Sequence, residues 1–223
     1  TNLLSQYLGD QYKTSTIRYS NVLSLGSQTD GFAAVITSGI EHKKYFPRAW
    51  TLTRRSGSTK QETPANTNFG AFIQAVPSYK NVYLTLALRY EDNKLFNPAY
   101  NPRIGLTTNF STKSLIFKPR ISWGKGITSP PYEARIGRLP VGGGRTIIYP
   151  NPDIIPQNQK GFDYGLEIYD KKGKYNFEIT YYDNVIQDFL SSISLGPDPT
   201  DPNLFGYRYI NLGKVANKGL ELS

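Results

Sequence analysis

Hydrophobic and polar residues alternate along most of the chain with a period of two. In the clearest run, the even positions from Val82 to Tyr90 carry valine, leucine or tyrosine, and the odd positions include Arg89 and Glu91. Because successive side chains of a β-strand point to opposite faces, this pattern predicts strands with one apolar face. Seven such runs occupy residues 32–41, 69–76, 82–91, 103–110, 115–123, 162–169 and 175–182. Weaker runs at 14–25, 205–211 and 217–223 bring the expected total to nine or ten strands, and we see no convincing helical stripe.

The connections between these runs alternate in length. Residues 78–81, 111–113 and 170–174 form short connections, whereas the expected long loops are 43–67, 92–101, 124–160 and 190–206. Short turns at one end and long loops at the other are typical of an up-and-down barrel inserted from one side of a membrane. A soluble sandwich has water at both ends and no reason to sort its loops. We therefore predict an all-β, antiparallel, up-and-down transmembrane β-barrel.

The composition and the long loops refine this prediction. Only 38% of residues are hydrophobic, yet 17 are tyrosines, as expected for strands with one lipid-facing side and aromatic girdles at the membrane surfaces. Trp123, Tyr90, Tyr181 and Phe110 lie near run ends, where such girdles would fall. The glycines at 142–144 and the proline-rich segment 196–202 predict irregular, exposed loop structure.

Charge and cysteine content exclude several other classes of protein. The net charge is +9, but the lysines and arginines are scattered over turns and strand ends, so no nucleic-acid partner is expected. No cysteine is present, which excludes disulfide scaffolds and thiolate metal sites. The chain has no apolar run of the ~20 residues that a membrane-spanning helix needs, and no signal peptide opens it.

Candidate catalytic and metal-binding residues have simpler interpretations. His42 is the only histidine and cannot complete a zinc site by itself. The segment 124–129 lacks the spacing of a phosphate-binding loop. Glu167 and Glu178 fall on lumen-type positions, where we interpret them as ion-pair partners of Lys118, Arg120 or Arg89 rather than as a glycosidase pair. We therefore predict no catalytic residue, no metal site, no cofactor and no enzymatic activity.

Several segments resemble the barrel of TonB-dependent outer-membrane receptors, in particular the SusC/RagA-like branch. The segment 209–222, YINLGKVANKGLEL, is similar to the strand pair "N-x-G-K-x-x-N-K-G-x-E" of that family. Residues 117–126, FKPRISWGKG, resemble a strand that precedes a long extracellular loop, and residues 86–92, LALRYED, resemble an "L-R-Y-D" strand end. The segment 151–182 follows the rhythm of the family's "G-L-E", short turn and "Y-Y-x-N" elements.

The resemblance implies a piece of a larger transporter in the bacterial outer membrane. The family has a 22-stranded barrel, an N-terminal plug domain and a TonB box, so about ten strands account for less than half of the barrel. Because neither plug nor TonB box is recognisable and Ser223 falls inside an apparent strand, we expect residues 1–223 to be a barrel segment without the plug domain. The implied partners are the TonB complex, outer-membrane lipids and a SusD-like surface lipoprotein that acts as a lid.

The function implied by the resemblance is TonB-coupled uptake of a nutrient such as a glycan, a peptide or a metal chelate. A passive porin or adhesin-type barrel and a soluble all-β carbohydrate-binding domain remain as alternatives at this stage. The long loop 124–160 carries aromatic and arginine side chains that can stack on and hydrogen-bond ligands. The candidate ligand-binding residues are Trp123, Tyr132, Arg135, Arg138 and Arg145. The competing interpretation is that they pack the loop onto the barrel mouth or a lid subunit.

Overall fold

A computed structural model describes residues 13–27, 29, 31–46, 48–54, 57–63, 65–140 and 144–223. Within these ranges, no helix has the length and apolar character needed to cross a membrane. The strands are β1 (Thr14–Ser27), β2 (Phe32–Tyr45), β3 (Arg48–Arg54), β4 (Gly57–Thr63), β5 (Asn66–Tyr79), β6 (Val82–Asn93), β7 (Phe96–Thr108), β8 (Phe110–Ser111), β9 (Leu115–Thr128), β10 (Thr146–Tyr149), β11 (Gln157–Asp170), β12 (Asn176–Asp198) and β13 (Asp201–Leu222). One short helix, α1 (Tyr132–Ile136), lies between β9 and β10.

Eleven of the strands form one open sheet. Its order is β1-β2-β5-β6-β7-β9-β11-β12-β13-β10, with the two-residue β8 beside β9, and β3 and β4 form a separate hairpin. Neighbouring strands are antiparallel except β10, which runs parallel to β13. Nine strands are 12 to 23 residues long. The predicted all-β, antiparallel, up-and-down arrangement of nine or ten strands is therefore confirmed.

The strand registers place the alternating apolar positions on one continuous face of the sheet. Across five adjacent strands, Ala75, Leu86, Ile104, Trp123 and Phe162 stand opposite one another in a single row. Leu86, Ile104 and Phe162 are 42%, 45% and 44% exposed. Soluble monomers rarely expose so continuous an apolar surface, but the lipid side of a barrel requires one. We call this the outer face, and the opposite, charge-bearing face the inner face.

The two ends of the sheet differ as the sequence predicts. At the turn end, Lys80 and Asn81, residues 112–114 and residues 171–175 connect adjacent strands. At the loop end, the β3–β4 hairpin lies between β2 and β5, and residues 129–156 lie between β9 and β11. The three predicted short connections are confirmed, and the two longest connections both lie at the opposite end.

The expected long loop at 92–101 is wrong. Strand β6 continues to Asn93 and β7 begins at Phe96, so only Lys94 and Leu95 connect them. The Asn93 side chain accepts a hydrogen bond from the Leu95 backbone N–H at 2.9 Å, which satisfies a donor inside the tight turn. Asparagine is a common turn residue for this reason. The polar composition of the segment therefore reflects a turn and two strand ends.

The expected irregular loop at 190–206 is also wrong. Strands β12 and β13 continue as a ladder to Asp198 and from Asp201, so only Pro199 and Thr200 lie between them. The ladder shifts register between Ser194 and Gly196 and again after Pro197. Bulges of this kind allow a strand to contain glycine and proline. Within the segment 196–202, Asp198 is buried, although the sequence predicts an exposed loop there. Of the three glycines at 142–144, for which the same prediction was made, Gly142 and Gly143 lie outside the described residues.

The fully buried large side chains among the described residues lie at the loop end. Ile154 and Leu204 are 0% and 1% exposed, and Ala134 of α1 and Ile148 of β10 are also buried. The wall of the sheet itself has no comparable core, because its outer face is apolar and exposed. The described residues of the segment 129–156 therefore fold as a small packed cap on the extended β12–β13 hairpin, which the prediction of a long loop at 124–160 did not include.

Candidate ligand site at the loop end

The inner face carries a network of ion pairs around Arg120. This guanidinium bonds the carboxylates of Glu167 and Glu178 and donates to the Thr180 hydroxyl at 2.9 Å. Lys118 pairs with the other oxygen of Glu167 at 3.0 Å. The sequence-based assignment of these carboxylates to ion pairs is confirmed. Both are already bonded to cations, which leaves neither as a free general acid or base.

A second network on the inner face joins β2 to β6 across the intervening strand β5. Arg89 donates to Glu91 at 2.6 Å, and its guanidinium lies 3.6 Å from Glu41, which also pairs with Lys43 at 3.0 Å. Gly70 lies between the two glutamates in the sheet, and a Cβ there would be 3.1 Å from the Arg89 guanidinium. The glycine therefore makes room for Arg89 to reach across a strand. The charges within these two inner-face networks are mutually compensated.

Asn211 of β13 fixes the end of the cap to the sheet. Its side-chain amide donates to the backbone oxygens of Ile155 and Asp188, both at 2.9 Å, and its oxygen accepts from the Ile155 N–H at 3.0 Å. Asn151 adds a bond to the Tyr209 backbone oxygen at 2.9 Å. These contacts pair backbone groups of the cap with β13 and hold Asp188 of β12 to the same side chain. The cap is thus held in one position above the wall.

Asp198 is the latch between the cap and the hairpin tip. One carboxylate oxygen accepts the backbone N–H groups of Thr200 and Asp201, at 2.8 and 2.9 Å, and also the Thr200 hydroxyl. The other oxygen accepts the hydroxyl of Tyr149, which lies on β10. The bonds from Thr200 and Tyr149 lower the pKa of Asp198 to about 2, and the Asp198 carboxylate raises the pKa of Tyr149.

This latch predicts that the hairpin tip loosens in acid. Because the pKa of Asp198 in the folded chain lies below its ordinary value of 3.8, its stabilisation is complete above pH 4 and is lost as the pH falls toward 2. Hydrogen exchange should show the Thr200 and Asp201 amides protected at pH 5 and unprotected near pH 2. In Asp198→Ala both amides should be unprotected at pH 5 as well as near pH 2, whereas unchanged protection at pH 5 in the variant would refute the latch.

A cleft opens at the loop end where two wall strands separate. The β7–β9 ladder begins where Thr107 is opposite Arg120 and ends where Arg103 is opposite Gly124. Toward the loop end, the remaining residues of β7 and of β9 are therefore not paired with each other. The cleft has a volume of about 640 Å³. Its lining residues are Lys94, Leu95, Phe96, Asn97, Pro98, Ala99, Tyr100, Lys125, Ile127, Arg135, Pro152, Asp153, Ile154, Ile155, Pro156 and Asn158. The lining thus contains three cationic side chains (Lys94, Lys125 and Arg135), two aromatic rings (Phe96 and Tyr100) and a single carboxylate (Asp153).

The predicted site residues differ in their positions. Arg135 lies in the cleft, where its guanidinium donates to the Leu95 backbone oxygen at 3.1 Å and stacks on the Phe96 ring at 5.8 Å. Tyr132 begins α1, and burial raises the pKa of its hydroxyl. Arg138 pairs through its backbone with Ile148. Arg135 thus bonds the β6–β7 turn, and the backbone of Arg138 bonds β10.

Only Arg135 of the five predicted site residues lines the cleft; Tyr132 and Arg138 belong to the cap, and Arg145 and Trp123 also lie outside the cleft. Arg145 precedes β10, its side chain is exposed, and its backbone oxygen accepts from the Phe205 N–H at 2.7 Å. Trp123 belongs to β9 and not to the loop; it lies on the outer face, with its ring 6.4 Å from that of Phe162. The strand extends five residues beyond Trp123, which the sequence interpretation placed at its end.

Sequence reasoning missed the cleft residues contributed by the β6–β7 turn and by β9. Lys94, Phe96 and Tyr100 fall within the expected long loop 92–101, and Lys125 falls within the expected long loop 124–160. Their only sequence signal is the short period-two pattern of Phe96, Pro98 and Tyr100. Among the residues that the structure describes, no group of three or more histidine, aspartate or glutamate side chains is arranged to hold a metal ion.

Comparison with known proteins identifies the family. The family model described as "TonB dependent receptor-like, beta-barrel" matches residues 1–223. The chain belongs to this family. The receptor barrel is therefore an outer-membrane protein of bacteria, and its outer face is the lipid-facing side of the wall. No curated protein matches the chain.

Solved structures of receptors and transporters share the fold of this receptor barrel. The hemophore receptor HasR of Serratia marcescens is 14% identical and the siderophore receptor PirA of Pseudomonas aeruginosa 18%, each with a TM-score of 0.67. The RagAB peptide transporter is 14% identical, also with a TM-score of 0.67. The matches cover 94%, 96% and 95% of this chain but only 38%, 40% and 27% of those chains.

Proposed function

We propose that the receptor containing this chain imports an extracellular nutrient across the outer membrane, using energy that the TonB complex delivers. Membership of the family across residues 1–223 carries this proposal. The inner wall supports it, because fixed and compensated charges such as those around Arg120 offer a polar passage without chemistry of their own. We assign the barrel no bond-breaking role.

The cleft between β7 and β9 is the proposed contact site for the nutrient. Lys94, Lys125 and Arg135 outnumber Asp153, and Phe96 and Tyr100 offer aromatic surface. A ligand with an anionic group and a flat or apolar part fits this lining, because ammonium groups attract carboxylates and aromatic rings stack on planar groups. Arg135 already bonds Leu95, so we assign it to holding the cleft open and Lys94 to the ligand.

A SusD-like surface lipoprotein is the proposed partner at the loop end. The likeness to the RagAB transporter supports membership of the SusC/RagA-like branch, although siderophore and hemophore receptors match with equal TM-scores. The extended β12–β13 hairpin and its cap give such a lid a rigid surface, since Asp198 bonds Tyr149 of the cap and Asn211 bonds Ile155 at its end. Copurification of a lipoprotein with the tagged receptor from its native membrane would support this assignment.

Uptake measurements test the proposal with defined probes. Cells that express the complete receptor are given ferric enterobactin, haem or a tryptic peptide mixture, with and without a functional TonB gene. We expect uptake of one probe to require TonB, and Lys94→Glu to reduce it by about tenfold, because charge reversal at the cleft repels an anionic ligand. Lys113→Glu is the matched control, since Lys113 is an exposed lysine at the turn end.

The outcomes separate the alternatives. Equal uptake without TonB would mean a passive porin. TonB-dependent uptake that Lys94→Glu leaves unchanged would disprove the cleft as the contact site while keeping the transport function.

A further inference from the structure

A cluster of lysines lies on the outer face, at the loop end of the wall. Lys125 of β9 stands directly opposite Lys160 of β11. In the next row toward the loop end, Asn158 is opposite Gln187, and Gln187 is opposite Lys214 of β13. All of the lysine side chains are exposed. We call Lys125, Lys160, Lys214 and Lys218 the outer lysine cluster.

This cluster begins directly beyond an aromatic ladder. Trp123 contacts Phe162 and Phe162 contacts Tyr164, with ring centroids 6.4 and 6.3 Å apart. Aromatic ladders of this kind mark the membrane–water interface of a barrel. Ten residues separate Leu115, at the turn end of β9, from Lys125, and a tilted strand of that length crosses about 25 Å of apolar membrane. The lysines therefore lie level with the lipid headgroups of the distal leaflet.

The two central lysines have no countercharge within the described part of the chain. Neither Lys125 nor Lys160 forms an ion pair there, and the single acidic residue in the neighbouring row, Asp183, is bonded to Lys218 at 2.8 Å. Like charges directly opposite on two strands destabilise the sheet unless an anion bridges them. A concavity of about 210 Å³ lies between them, lined by Lys125, Asn158, Gln159, Lys160 and Gln187. Ammonium and carboxamide groups are donors that suit phosphate oxygens.

We propose that the outer lysine cluster binds the phosphate groups of lipid headgroups in the surrounding outer leaflet. The lysines hold the phosphate in the concavity, and the acyl chains of the same molecule lie against Trp123, Phe162 and Tyr164 below it. The charge of the cluster and its height above the apolar band both favour a lipid phosphate over a dissolved one. Lys125 borders both this concavity and the cleft between β7 and β9, whereas Lys160 lines the concavity alone.

Lipid binding by the purified receptor tests the proposal. The complete receptor in uncharged detergent is titrated with bisphosphorylated lipid A, with its dephosphorylated form and with inorganic phosphate, and bound lipid is counted by native mass spectrometry. We expect the wild type to prefer the bisphosphorylated lipid by at least about tenfold, and Lys160→Glu to remove this preference. Lys160 is chosen because Lys125 also borders the cleft between β7 and β9. Lys160→Arg keeps the charge and should keep the preference.

A lysine at the opposite end provides the control. Lys171 is exposed in the turn between β11 and β12, so Lys171→Glu changes the net charge equally and should leave the preference intact. Equal binding of both lipids by the wild type would overturn the proposal, as would loss of the preference in both glutamate variants. Competition by inorganic phosphate at the same concentration as the lipid would show that the site takes dissolved phosphate instead.

Discussion

Leu86→Arg is expected to lower the free energy of unfolding of the receptor barrel in a bilayer by about 2–4 kcal/mol, the range for an arginine near the middle of the lipid-facing surface of a barrel. Leu86 lies at the centre of the alternating run of β6, between Ala75 and Ile104 on the outer face, and is 42% exposed. Its replacement places a cation among lipid tails with no partner, and the cost of desolvating that charge has nothing to offset it.

The neighbouring residue provides a matched control for this substitution. Thr85 is one position earlier on the same strand and points to the inner face, opposite Gly105, so Thr85→Arg places the same cation in the wet interior. We expect it to change the free energy of unfolding by less than about 1 kcal/mol. Urea unfolding of the complete receptor in lipid vesicles measures both. An equal loss in the two variants would mean that the two faces have been assigned the wrong way round.

The two faces of the wall could be predicted from the sequence because alternation is a local property. A strand of period two assigns each residue to a face without knowledge of its neighbours, and the registers preserve that assignment across the sheet. The pairing of Glu167 and Glu178 with Lys118 and Arg120 follows from the same parity, because β9, β11 and β12 are adjacent in the sheet order. Arg89 pairs elsewhere because Gly70 opens a path to Glu41.

The loop end of the sheet was predicted less well because its amino-acid composition favours irregular structure where the chain forms strands. Glycine and proline between 196 and 202 disfavour a strand locally, but bulges near Gly196 and Pro197 let the ladder continue. The separation of β7 from β9 depends on the cap, which inserts Arg135 against Leu95 from 40 residues away. The opposition of Lys125 and Lys160 likewise follows from a register between distant segments. Such contacts have no signature within a single stretch of sequence.

Arg120→Ala is expected to lower the free energy of unfolding by about 1–2 kcal/mol, after allowance for the 31% exposure of the side chain. Arg120 reaches Glu178 and Thr180 on β12 by crossing Gly165 of β11, where a Cβ would lie 2.6 Å from its Nε atom. Its removal leaves two neighbouring carboxylates on the inner face with Lys118 as their remaining cation. The loss comes from this uncompensated negative charge.

The dependence on charge distinguishes this network from simple packing. Arg120→Lys should recover part of the stability because one ammonium still neutralises the carboxylates, although it cannot bond both as the forked guanidinium does. Arg120→Met fills a similar volume without charge and should remain as unstable as Arg120→Ala. Lys218→Ala removes a more exposed ion pair, 58% exposed at the lysine, and should leave the urea midpoint unchanged. Full recovery in Arg120→Met would show that Arg120 stabilises the wall by filling space, and the ion pairs would then have no part in its stability.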